Sequence, residues 1–326
     1  VNLPWYSLFL KSLSRNHSSL LVLLSVTLSF SCTRIPVHVK NENLPDLVFV
    51  QIPTTVQPSS FHDGVIFPPS NRYVDGCRIV VLSPGHSEKI LLNLTPDFVS
   101  ACDPDVSFDG KTILFAGKRK TNEPWQIWRM NRDGSEKVQI TNGSHDSVAP
   151  IHVGARFYLN DEAPTDQIVY MNANHGWVNE VGYGPAYSLY ASDLEGNNSY
   201  RITFNLNADF SPDVLPNGRV VFSSWQRFGS SLTPTGIFAL MAVNIDGTDL
   251  MPFYGNFEPP LFKEMVRVAR DDRVYFIESD RSIWLGGGDL SFVSRRRPLH
   301  THHVLSSSKD GIFHSPCPLP DGKLLV

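Results

Sequence analysis

From residue 47 onward the hydrophobic positions fall in short runs, each bounded by glycine, proline, asparagine or aspartate. Runs of this kind, rich in β-branched and aromatic residues, predict strands; a helix needs a longer stretch with 3.6-residue periodicity. The pattern is clearest over 103–142, DPDVSFDGKTILFAGKRKTNEPWQIWRMNRDGSEKVQITN. It predicts a turn at Asp109-Gly110, a strand over 111–116, and a hairpin of 126–129 with 137–141 closed through Asp133-Gly134. Glycine accepts the positive φ of such turns without a Cβ clash.

The phrase recurs. Its opening returns as SPDVLPNGRVVFSSW (211–225) and SPCPLPDGKLLV (315–326), and its close as SLYASDLEGNNSYRIT (188–203) and LMAVNIDGTDLMPF (240–253). The opening glycines Gly110, Gly218 and Gly322 are 108 and 104 residues apart; the closing glycines Gly134, Gly196 and Gly247 are 62 and 51 apart. A unit of about fifty residues with about four strands points to a β-propeller, in which blades stack because none can bury both faces alone. The expected fold class is all-β, a propeller of four-stranded blades. About five blades and the start of a sixth are legible, and the ring is incomplete within this sequence. The blades fall at 46–100 (strands 47–52, 64–67, 77–82, 89–94), 103–142, 148–204, 209–254 and 262–300 (strands 265–269, 274–278, 282–285), with a sixth starting at Phe313. Trp125, Trp128 and Trp225 are expected to pack between blades.

Composition leaves this picture intact. The chain has 326 residues, 41% hydrophobic and 18% charged, with a net charge of −4. That is a globular balance without a basic footprint for nucleic acid; Arg295-Arg296-Arg297 reads as a solvated loop. Residues 1–32 differ: Lys11 and Arg15 precede the apolar stretch 18–30, and small residues lead to Cys32, as in a signal peptide. A lipoprotein-type signal would place a lipid on Cys32, although Phe30 departs from that pattern. Residues 33–46 read as a tether and 47–326 as the C-terminally truncated propeller. The expected location is the periplasm or an outer-membrane anchor, with membrane contact only through the signal or the lipid. Cys77, Cys102 and Cys317 are widely spaced and read as free thiols.

The openings P-D-V-S-F-D-G-K and S-P-D-V-L-P-N-G-R, with the closings W-R-M-N-R-D-G-S and A-V-N-I-D-G-T, resemble the TolB-type PD40 (WD40-like) propeller repeats of exported bacterial proteins. The resemblance covers 100–256 well. More narrowly, DPDVSFDGKTILFAGKR with FHSPCPLPDGKLLV resembles the central propeller of the hydrazine synthase alpha subunit and its relatives. That resemblance implies a multihaem context, yet the chain holds no C-x-x-C-H, so no cofactor is expected within it.

Candidate chemistry is sparse. Asp109, Asp133 and Asp246 precede glycines and read as turn formers, and Asp103, Asp105 and Asp213, beside prolines, as caps of turns between blades. His300, His302, His303, His314 and Cys317 lie within eighteen residues and are the metal-ligand candidates, at a spacing that matches no standard zinc pattern. The insertion 172–185 and its flank carry His175, Trp177, Tyr183 and Tyr187, the candidate binding residues, with 227–236 as a second candidate loop. No G-x-S-x-G, H-E-x-x-H or Walker motif occurs. The functional expectation is an exported binding or scaffolding module for a protein or cell-envelope partner, without catalysis of its own. The alternatives are the propeller portion of a larger multihaem redox enzyme whose haem domain follows residue 326, or a hydrolase using channel carboxylates.

Overall fold

The computed structural model describes residues 45–53, 73–83, 90–159, 162–180, 182, 184–227, 236–256, 259–280, 287–307, 309, 311 and 313–326. Residues 1–44, the expected strands 64–67 and 282–285, Tyr183, residues 228–235 and the side chain of His175 lie outside this description.

Among the described residues twenty-one strands follow one another in sheets that are antiparallel within each blade. The second blade contains β4 (Ser100–Val106), β5 (Thr112–Lys118), β6 (Gln126–Asn131) and β7 (Val138–Gln139), in that order from the inside out. The third contains β8 (Ser147–Arg156), β9 (Thr165–Asn172), β10 (Ser188–Asp193) and β11 (Tyr200–Arg201). The fourth has β12 (Ala208–Val214), β13 (Val220–Gln226), β14 (Ile237–Val243) and β15 (Met251–Tyr254). The fifth has β16 (Phe262–Val268), β17 (Arg273–Ser279), β18 (Asp289–Ser294) and β19 (His303–Ser306), linked to the fourth by one parallel bridge, Phe238 to Phe262. Before them stands a three-stranded sheet, β1 (Leu47–Gln51), β2 (Arg78–Ser83) and β3 (Ile90–Asn93); after them comes the pair β20 (Cys317–Pro318) and β21 (Leu324–Leu325). No strand pairing among the described residues joins the last sheet to the first.

Buried apolar faces connect each blade to the next. Ile79, Leu94, Phe98, Phe115 and Trp128 fill the space between the first two blades, and Trp128 lies edge-on to Phe98 at 5.0 Å. A larger cluster with Trp125, Ile168, Leu189, Phe210 and Trp225 runs through the second, third and fourth blades. The three tryptophans are buried in this packing.

Three expectations need correction. The D-P-D and S-P-D segments are not turns between blades; they lie inside the inner strands β4 and β12. Proline argues against a strand, but a strand with a bulge admits it. The fifth blade is complete and regular, with its third strand at Asp289–Ser294 and a fourth ending at Ser306. In the first blade β1 pairs directly with β2, with no described strand between them. The triple-arginine run is a turn in which Arg295 and Arg296 both pair with Asp272, at 2.8 and 2.9 Å.

Candidate functional site

Each inner strand carries the same irregularity. Asp103, Ala149, Ser211, Met265 and Ser315 all have φ between 48° and 56°, and in the first four the pairing register slips at that point. Proline follows four of them, at 104, 150, 212 and 316. These left-handed residues line a narrow cavity of about 90 Å³ shared by the inner strands, with Tyr73 and Arg267.

The carboxylates of this channel are engaged in holding blades together. Asp105 Oδ2 accepts the backbone N–H of His152 (2.8 Å) and its ring Nδ1–H (2.7 Å), linking the second blade to the third. Asp213 Oδ2 accepts the N–H of Val268 (2.7 Å) at the equivalent place between the fourth and fifth. Asp103 Oδ2 accepts from the N–H of Ala149 (3.1 Å) and the hydroxyl of Tyr73 (2.8 Å). Desolvation by the channel walls pushes the Asp213 carboxyl up to about 6; Arg267 opposes the rise and Asp105 adds to it. Asp109, Asp133 and Asp246 are turn formers, their Oδ1 atoms accepting the N–H of Lys111, Ser135 and Thr248 two residues on (2.9–3.1 Å).

The histidine–cysteine set does not assemble. His302 Nε2 lies 2.6 Å from Oε1 of buried Glu278, which also accepts the Ser291 hydroxyl (2.5 Å), and its ring stacks on Tyr254. His303 stacks on Phe292 at the outer strand, His300 ends a 3-10 turn, and Cys317 stands on an inner strand. Among the described residues no three His, Cys, Asp or Glu side chains converge as a metal site. Cys77 and Cys102 are buried free thiols, and burial pushes the Cys77 thiol up to about 11. Neither thiol belongs to a C-x-x-C-H, so the residues present do not fit covalent haem attachment.

The insertion in the third blade is different. A 3-10 turn at Asn174–Gly176 leads to a bridge between Val178 and Pro185, and Ala186 donates to the carbonyl of Trp177 (2.6 Å). Asn207, just before β12, clamps the loop: its Nδ2 donates to Glu180 (2.9 Å) and its Oδ1 accepts the Glu180 N–H (3.2 Å). Tyr187 is not a contact residue. It is 2% exposed, and its N–H donates to the carbonyl of Asn207 (2.9 Å), so it anchors the insertion in the core. Trp177 is 61% exposed and faces the segment carrying Phe204 (68%) and Leu206 (63%) across a cavity of about 350 Å³. Arg201 lies 4.7 Å from the Phe204 ring and 5.9 Å from Trp177; it donates through Nε to the Thr203 carbonyl and through Nη2 to Ser188. The cavity thus sets the Arg201 guanidinium and the Glu180 carboxylate among exposed apolar side chains. Arg201 ends the two-residue strand β11, and Phe204 and Leu206 follow it in an otherwise ordinary linker, so all three escaped the sequence reading.

No protein-family model matches the chain. It is 29% identical to hydrazine synthase subunit alpha of Kuenenia stuttgartiensis over 327 aligned positions, covering 86% of this chain and 39% of that protein. The structure of Kuenenia stuttgartiensis hydrazine synthase superposes with a TM-score of 0.71 at 27% identity, over 86% of this chain and 41% of that one. A TolB-type protein of Agrobacterium tumefaciens superposes at 0.53 with 15% identity, over 76% and 81%, a likeness of fold alone. The chain is homologous to the hydrazine synthase alpha subunit and spans about two fifths of its length. Among the described residues no helix is long and apolar enough to cross a membrane.

Proposed function

We propose that this chain is the propeller part of an exported, hydrazine synthase alpha-like protein, where it docks a partner protein and performs no catalysis itself. The groove around Trp177 carries this reading. Its exposed aromatic and aliphatic side chains sit on an insertion clamped at both ends, whereas the channel carboxylates are occupied in joining blades. Rigid loops on a propeller suit recognition, and exposed apolar patches of this kind are sites of association.

A photo-cross-linking residue placed at 177 or 204 of the full-length protein in its own cells tests the reading. A discrete protein adduct is expected at these positions and not at exposed Phe108 on an inter-strand turn. No adduct, or the same adduct at all three, would count against docking through the groove. Export is tested separately by fusing residues 1–46 to alkaline phosphatase, which gains activity only outside the cytoplasm.

A second reading follows from the span of the homology. The chain matches 39% of a longer alpha subunit, so the propeller can belong to a larger multihaem redox protein whose haems are bound by other segments. A C-x-x-C-H in the uninterrupted reading frame beyond residue 326, with haem staining of the full-length product, is the expected sign. A frame that only completes the propeller would remove this reading.

A further inference from the structure

The repeat supplies an internal reference for the groove, because the second and third blades reach the next inner strand through connectors of equal length. Thr141 and Thr203 open them in the same way: Thr141 Oγ1 accepts the N–H of Ile127 in β6 (2.8 Å), and Thr203 Oγ1 accepts that of Leu189 in β10 (3.0 Å). Ser147 and Asp209 close them, each six residues on, paired with Asn172 of β9 and Ser224 of β13. Phe204 therefore stands where the other connector has Asn142, and Leu206 where it has Ser144. All four side chains are exposed. The fold accepts polar residues at these two places, so packing does not account for the apolar pair.

Arg201 shows the same contrast in charge. It pairs with Tyr190 as Gln139 pairs with Trp128 in the second blade and Asn93 with Val80 in the first. Each of the three side chains bonds the backbone of a threonine two residues on. Asn93 Oδ1 accepts the Thr95 N–H (2.9 Å), Gln139 Nε2 donates to the Thr141 carbonyl (2.7 Å), and Arg201 Nε donates to the Thr203 carbonyl (2.7 Å). A neutral amide suffices in two blades, so the positive charge in the third is surplus to that bond. The second Arg201 bond, from Nη2 to Ser188 Oγ, falls on an oxygen that also accepts from Asn174 Nδ2 (2.8 Å). A guanidinium has five N–H donors, and these two bonds leave others for a ligand. The charge at 201 and the apolar side chains at 204 and 206 line one cavity with Trp177.

We propose that the groove seats an acidic, apolar segment of the partner protein, with a carboxylate on Arg201 and an aliphatic or aromatic neighbour against Trp177, Phe204 and Leu206. This rests on the docking role proposed above and adds the chemistry of what docks. The guanidinium lies 4.7 Å from the Phe204 ring and is tied at two nitrogens, so it is held in place before a ligand arrives. Its bonds to a carboxylate would be charge-assisted, the strong kind. Glu180 shares the cavity, but its carboxylate already accepts from Asn207 Nδ2 (2.9 Å). A basic segment paired with Glu180 is the competing occupant.

The test uses the full-length protein in its own cells, with the photo-cross-linking residue at 177. Arg201→Gln removes the charge and, on the precedent of Gln139, keeps the bond to the Thr203 carbonyl. Glu180→Gln removes the opposite charge and keeps an acceptor for Asn207. Arg201→Gln should lower the adduct yield about tenfold at an unchanged melting temperature, and Glu180→Gln should not lower it. Mass spectrometry of the adduct formed with Arg201 in place should find a carboxylate within about three residues of the linked one, the reach of an extended segment across the cavity. A yield that survives Arg201→Gln, a yield lost only in Glu180→Gln, or a linked segment without a carboxylate would overturn the acidic occupant and leave docking through the groove standing. No adduct with Arg201 in place would remove both. The linked segment decides the matter even where Arg201→Gln fails to fold.

Discussion

Asp213 is a carboxylate used for its geometry at an electrostatic cost. Its pKa is raised, so the folded protein takes up a proton relative to the unfolded chain, whose aspartate titrates at its ordinary value of 3.8. The stability linked to that proton is fully present below about 3.8 and is lost as pH rises through about 6. Asp213→Asn keeps an oxygen acceptor for the Val268 N–H and removes the charge. In urea unfolding at a series of pH values, the variant should gain on the native protein by about 2–3 kcal/mol between pH 3.5 and 7. A constant difference across that range would show that Asp213 is not the titrating group. Gly196 and Gly218 provide a second residue-scale contrast, since both have φ near +80°. A Cβ at Gly196 would collide with the carbonyl oxygen of Ile140 in the preceding blade, whereas one at Gly218 meets open space. Gly218→Ala should cost about 1 kcal/mol, the backbone term alone, and Gly196→Ala clearly more. Thermal unfolding of the two variants distinguishes them. At this scale the turn aspartates were legible, because their partners lie two residues away. Asp105 and Asp213 were not, because their partners lie 47 and 55 residues on and leave no local mark.

At the scale of elements, strands flanked by Asp-Gly or Asn-Gly turns could be read directly, and so could the insertion after β9. Of the inner strands only part of β16 could. Each is interrupted by a left-handed residue, usually with proline after it, which reads as a turn; only their position at the edge of a blade permits that sequence. The left-handed position predicts an unusual mutational response. Ala149→Gly should leave the melting temperature unchanged or raise it, because glycine relieves a positive φ of 49°. Ala191→Gly, in the regular part of β10, should cost about 1 kcal/mol. Equal losses at both sites would show that the bulge carries no strain. The candidate groove was half legible. Trp177 stood out in a glycine-rich insertion, but its opposite wall is three residues on an adjoining linker, and only the third dimension unites them.

Across the whole molecule the apolar clusters have unequal weight. Among the described residues the cluster joining the second, third and fourth blades is the largest, and the one joining the fifth blade to β20 and β21 has only Met265, Ile277 and Leu290 as buried members. Stability in such an array is the sum of unit and neighbour-interface contributions, so opening begins where an interface is poorest. Native-state hydrogen exchange of this chain should show β20 and β21 opening first and β9, β10 and β13 last. A single opening energy for all strands would contradict that order.

The aspartate clasps extend this point to damage and repair. The clasps at Asp105 and Asp213 each span one boundary, from one inner strand to the next. A lesion in one clasp therefore weakens a single seam and leaves the other blades in place. The chain behaves less like an arch, which fails when any stone is drawn, than like a row of hinged panels whose faults stay where they arise.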